Sequence, residues 1–157
     1  MQKVTDFFTK LSGISLALLV MLIVYDALMR YLLSQGSTAL QELEWHLFDV
    51  VILLSIAFAF KHSAHVRVDI LYEKFSPSKQ KLIDIITIVF FILPFSGLII
   101  YLGYHFALMS FVQNESSSDP GGLAYRWIVK SLIDVAFLLL FIEATHELKN
   151  LLGKKGN

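Results

Sequence analysis

Four long apolar blocks separated by short polar stretches set the pattern of this chain. The first, LSGISLALLVMLIVYDALMRYLL over 11–33, contains no proline and exceeds the ~20 residues needed to cross a ~30 Å hydrocarbon core. It is also longer than the ~7–15 residues of a cleavable leader's apolar region, so a retained helix is expected. The second, LEWHLFDVVILLSIAFAF over 43–60, is shorter but adequate with Trp45 and His46 at an interface. The third runs over 82–112 and would cover ~46 Å as a helix, so it must tilt, bend or project, with Pro94 and Gly97 marking the expected kink. The fourth, about 123–145, carries Arg126, Lys130 and Asp134 in its first half and needs partners to cross a bilayer. The pattern predicts an all-α membrane protein of four transmembrane helices forming a single membrane domain over 1–157.

Composition supports this: of the 157 residues 56% are hydrophobic and 17% charged, against about 25% charged in soluble domains. The formal net charge is zero, which gives no reason to expect nucleic acid as a partner. There is no cysteine, which removes disulfides, thiol catalysis and iron–sulfur clusters. Nothing forms a Gly-rich phosphate loop or a nucleophile elbow, and the loops are too short to house a catalytic domain, so no enzyme is expected.

The distribution of charge orients the spans. Lys3 and Lys10, then Lys61, Arg67, Lys74, Lys79 and Lys81, then Lys149, Lys154 and Lys155 make ten of the thirteen basic residues. None lies in the 34–42 loop, and none precedes Arg126 in the loop around QNESSSDPGG. By the positive-inside rule both termini are expected in the cytoplasm. Between the second and third helices, Val66, Ile70 and Phe75 recur beside Arg67 and Lys74, which suggests a short amphipathic segment in the headgroup layer. Ser76-Pro77 then reads as an N-cap followed by proline at the first helical position.

Ionisable residues inside spans are the informative exceptions, because an unpaired one near the bilayer centre costs ~2.5–3.5 kcal/mol. Asp26 and Arg30 are spaced to pair on the first helix, Lys130 and Asp134 on the fourth, and Asp49 lies at similar depth on the second. Asp26, Arg30, Asp49, Lys130 and Asp134 are therefore expected to form a structural polar network near the outer ends of the spans. Both signs are present, which favours structure over proton or ion transport. Glu42, Glu44, Glu115, Asp119 and Arg126 form an outer rim suited to docking a soluble protein, and Trp45 and Trp127 are interface anchors.

The histidines leave alternatives open. His62 and His65 have a metal pair's spacing but no specified third ligand, so no metal site is expected. His46 and His105 could serve as axial ligands in a haem-binding membrane anchor of a redox enzyme. A small self-contained proton-coupled exporter built around Asp26 is a further alternative.

The outward span ending in DALMRYLL, the entry QELEWHLF, the loop HVRVDIL and the entry GGLAYRWIVKSLI occur in an order and spacing that resembles the small membrane subunit of tripartite ATP-independent periplasmic (TRAP) transporters, the DctQ type. The similarity covers nearly the whole chain. It implies a scaffold, without a cofactor of its own, for a large multi-helix subunit that carries substrate and sodium. It also implies a periplasmic substrate-binding protein delivering an organic acid, such as a C4-dicarboxylate or sialic acid, at a bacterial inner membrane. Within HVRVDIL, the expectation is that His65, Arg67 and Asp69 mark a cytoplasmic loop motif, with Arg67 and Asp69 fixing its fold.

Overall fold

The computed structural model describes residues 2–61, 72 and 74–153, with side chains over 7–60, at 72 and over 74–153. The amphipathic segment expected at Val66 and Ile70 and the motif residues His65, Arg67 and Asp69 lie outside the described residues. The elements are α1 (Gln2–Leu33), α2 (Thr38–Lys61), α3 (Pro77–Thr87), a π-helical turn (Ile88–Ile92), α4 (Leu93–Val112) and α5 (Trp127–Gly153), with no strand among the described residues. Three stretches, Phe7–Leu33, Thr38–Phe60 and Pro77–Val112, are long and apolar enough to cross a membrane. α5 has 27 residues, ample at ~1.5 Å per residue, but Lys130, Asp134 and Glu143 interrupt its apolar sequence.

Proline chemistry explains the π turn. α3 begins at Pro77, where a missing N–H costs nothing, and the Ser76 carbonyl accepts from Lys79 N at 2.9 Å and Gln80 N at 3.0 Å. The Ser76 hydroxyl makes no cap bond; its extended backbone does the capping. Pro94 cannot donate to the carbonyl four residues earlier, and its ring crowds that turn. The chain answers by widening the helix one turn before Pro94, and Leu93 N bonds back to Ile88 O. Where a kink is expected at Pro94 and Gly97, the helix carries a π-bulge just N-terminal to them. Ser96, fully buried, returns its hydroxyl to Ile92 O at 2.6 Å.

The helices pack as α1 on α2, α2 on α5 and α5 on α4, an open row without substantial packing between its two ends. α1 and α2 run antiparallel, joined by a clasp in which Ser12 Oγ donates to Val51 O at 2.9 Å and lies 2.8 Å from Ser55 Oγ. α2 and α5 run parallel, and Phe60 meets Leu140, Ala144 and Ile88 in the apolar core at the end nearer the chain termini. α4 and α5 run antiparallel through small residues: Ser96, Gly103, Ala107 and Ser110 are buried on α4, and Ala136 and Ala144 on α5. Small residues let helix backbones approach closely where lipid supplies no hydrophobic drive between helices. A row one helix thick leaves large apolar side chains such as Met21, Phe90 and Phe91 exposed, a surface suited to hydrocarbon or to other membrane helices.

Candidate functional site

The connection from α4 to α5 builds the polar end of the row. α4 stops in a Schellman motif: Asn114 is left-handed at φ 47°, Glu115 N bonds to Ser110 O at 3.0 Å and Asn114 N to Phe111 O at 3.1 Å. This sets Glu115 directly after the helix. Residues 119–122 form a type II turn, with Pro120 second, Gly121 third at φ 79°, and Gly122 N bonded to Asp119 O at 3.0 Å. Ser117 N reaches Leu123 O at 2.9 Å and Arg126 N reaches Glu115 O at 3.2 Å, so the loop closes as a small hydrogen-bonded hairpin. α5 consequently begins at Trp127, and the stretch 123–126 assigned to the fourth helix from its apolar pattern is loop, with Tyr125 left-handed at φ 62°.

Glu42 on α2 ties this loop down. One carboxylate oxygen accepts from Ser117 Oγ and the other from Leu123 N at 2.6 Å. A Cβ at Gly122 would meet Glu42 Oε2 at 2.8 Å as well as Ser117, so the approach requires glycine. Glu42 therefore does not simply snorkel at an outer rim; both of its oxygens are spent holding the chain to itself.

The expected i,i+4 pair of Lys130 and Asp134 does not form. Lys130 Nζ pairs with Glu115 and sits 3.9 Å over the Phe106 ring, because the Schellman turn presents Glu115 within reach and a long lysine stem extends toward the polar end. Asp134 turns instead into the notch left by Gly103, and its Oδ1 is buried without a hydrogen-bond partner among the described residues. Arg30 does pair with Asp26, and Gln41, with its amide oxygen facing the guanidinium, accepts from Arg30 Nη1 at 2.9 Å. Glu44 lies within electrostatic reach of this pair, and its Oε1 is buried without a partner among the described residues. The residues read as a single network thus fall into separate groupings. Asp26 and Arg30 join α1 to α2, Asp49 and Lys130 line a groove, and Asp134 stands apart against α4. Sequence reasoning missed Glu143, buried on α5, and the serines Ser12, Ser55 and Ser96. The burial of Glu143, Ser12 and Ser96, and the contact of half-buried Ser55 with Ser12, depend on which helix faces meet, and no spacing within one helix reports that.

The groove, about 840 Å³, lies between α2 and α5 beneath the loop. Thr38, Glu42, His46 and Asp49 of α2, Glu115 and Asp119 of the loop, and Arg126, Lys130 and Ile133 of α5 line it with Phe106. Trp45 is exposed at its edge, and Trp127 packs edge-on to Phe111 at 5.3 Å. His105 meets Tyr101 edge-on at 4.9 Å on the exposed face of α4 and does not line the groove with His46.

Lys130, hydrogen-bonded to Glu115, holds that carboxyl below the usual carboxylate range. A carboxyl depressed in the folded state stabilises above its unfolded pKa, and the contribution is lost as pH falls through the folded value. Acidification below the ordinary glutamate range should therefore lower the melting temperature of the wild type in detergent, and Glu115→Gln should remove part of that acid sensitivity. Lys130→Ala should reproduce the effect, and the double variant should be no worse than either single. Unchanged acid profiles in both variants would refute the pair's role.

The arrangement offers binding and positioning groups rather than a nucleophile with its base. No curated protein matches the chain. The family model of the tripartite ATP-independent periplasmic transporters, DctQ component, matches residues 19–153, from Leu19 within α1 to the end of α5, and the chain belongs to that family.

Proposed function

We propose that this chain is the scaffold subunit of a sodium-gradient-driven uptake system for an organic acid, holding a large multi-helix transport subunit and working with a periplasmic substrate-binding protein. The family match over residues 19–153 carries this reading. In it the chain forms one bacterial inner-membrane domain with four spans and both termini cytoplasmic. Shelter of its charges lets α5 count as a span: Lys130 is paired and Glu143 is buried within the row. The loop end then faces the periplasm, and Glu44, Asp119 and Arg126 are its rim for the binding protein, Glu42 and Glu115 being engaged within the chain. Sodium coupling and substrate belong to the large subunit, and this chain supplies neither cofactor nor catalytic group. The acid is a C4-dicarboxylate, a sialic acid or a similar carboxylate.

Co-expression with the large subunit and purification in mild detergent should yield a fixed-ratio, colourless complex. In proteoliposomes supplied with the binding protein, that complex should take up organic acid only under an inward sodium gradient. Uptake by this chain alone, or a Soret band that disappears when His46 or His105 is replaced, would reject the proposal.

A further inference from the structure

We propose that the groove between α2 and α5 binds one zwitterionic phospholipid with a primary-ammonium headgroup, its phosphodiester on Arg126 and its ammonium on Asp119. The groove offers such a molecule both charged and apolar walls. Asp119, Thr38 and Arg126 line its loop end, while Phe106, Val129 and Ile133 line its course together with Asp49 and Lys130. It opens beside exposed Trp45, the residue type that sits at headgroup level. α2 and α5 are closed against each other at the opposite end by Phe60, Leu140 and Ala144, so the groove is confined to the loop half of this helix pair.

The groups left for a ligand follow from those already used. Both oxygens of Glu42 serve Ser117 and Leu123, and Lys130 serves Glu115. Arg126 and Asp119 line the same groove, and neither side chain has an ion-pair partner among the described residues. One cation and one anion at the mouth match a phosphate and an ammonium on a single headgroup. Four lining carboxyl groups, Glu42, Asp49, Glu115 and Asp119, face two permanent cations, Arg126 and Lys130. A headgroup of net negative charge therefore meets an acidic excess, which an ammonium offsets. A quaternary ammonium carries the same charge but no N–H to donate to Asp119, which favours the primary amine.

The test uses the full chain incorporated into vesicles of equal parts phosphatidylethanolamine, phosphatidylglycerol and phosphatidylcholine. The protein is re-extracted in mild detergent and its retained lipid counted by mass spectrometry. Phosphatidylethanolamine should be enriched about five-fold over each of the other two, a ratio within reach of one well-placed ion pair. Arg126→Gln and Asp119→Asn should each abolish the enrichment, and Glu147→Gln, exposed near the other end of α5, should leave it intact. The Asp119 carboxylate makes no hydrogen bond to the loop, so that variant carries the test if Arg126→Gln fails to fold. Retention at the vesicle ratio, as for annular lipid or a groove filled by protein, would overturn the proposal. So would enrichment of phosphatidylglycerol, or enrichment surviving both variants.

Discussion

Gly103→Leu is expected to separate α4 from α5 and to lower the thermal stability of the chain more than any other single substitution on α4. A Cβ at this position would meet Asp134 Oδ1, with Asp134 Cγ at 3.1 Å. Leucine adds three further carbons where Ser96, Gly103, Ala107 and Ser110 let the two helices approach. Overpacking a close interface costs about 1–3 kcal/mol, and here a buried carboxyl must also move. Among the described residues α5 is the one neighbouring helix against which α4 packs extensively, so no second such interface there holds it when this one opens. Melting followed by tryptophan fluorescence in detergent should report the loss through Trp127, which rests on Phe111 of α4. Because the obstacle is one side chain, Gly103→Ala with Asp134→Ala should be less damaging than the sum of the two single changes. Strict additivity, or a wild-type melting curve for Gly103→Leu, would show that the notch does not govern this interface.

That prediction rests on a feature the sequence displays only in part. Long apolar blocks report helix existence because a bilayer demands ~20 apolar residues regardless of neighbours, and α1, α2 and the Pro77–Val112 helix were legible for that reason. Pro77 as a helix start was equally legible, since proline's missing N–H is a local fact. Pairing was less so. Asp26 and Arg30 meet because one helix brings i and i+4 together, and Gln41 adds to the pair without displacing it, but Lys130 has the same spacing to Asp134 and chooses Glu115. The choice is made by Asn114, whose left-handed φ turns the chain so that Glu115 falls beside α5. The order of helices in the row, and with it the groove, depends on which faces carry small residues opposite one another, a property of two helices at once. Apolar character at 123–126 suggested helix, whereas the backbone of Gly121 and Tyr125 and the carboxylate of Glu42 make it loop.

Glu42→Ala is expected to free the connection between α4 and α5, with the largest effect of any change at the loop end. Its carboxylate is the contact that spans 75 residues to Ser117 and 81 to Leu123, and charged acceptors make the stronger hydrogen bonds. Alanine leaves the Leu123 N–H and the Ser117 hydroxyl without this acceptor. Limited proteolysis should then cut within 115–126 much faster than in the wild type, while helix content stays unchanged because the apolar core around Phe60 and Leu140 is remote. Glu42→Gln should be intermediate: its amide oxygen can still accept from Leu123 N, but the charge is gone. Gly122→Val should resemble Glu42→Ala, since its side chain would occupy the space where Ser117 and Glu42 meet. If the rim at this end receives a binding protein, freeing the loop displaces Asp119 and Arg126 together, and sodium-driven uptake by the assembled complex should fall with loop protection across the three variants. Loss of protection with full uptake would confine Glu42 to holding the loop and remove the loop from docking.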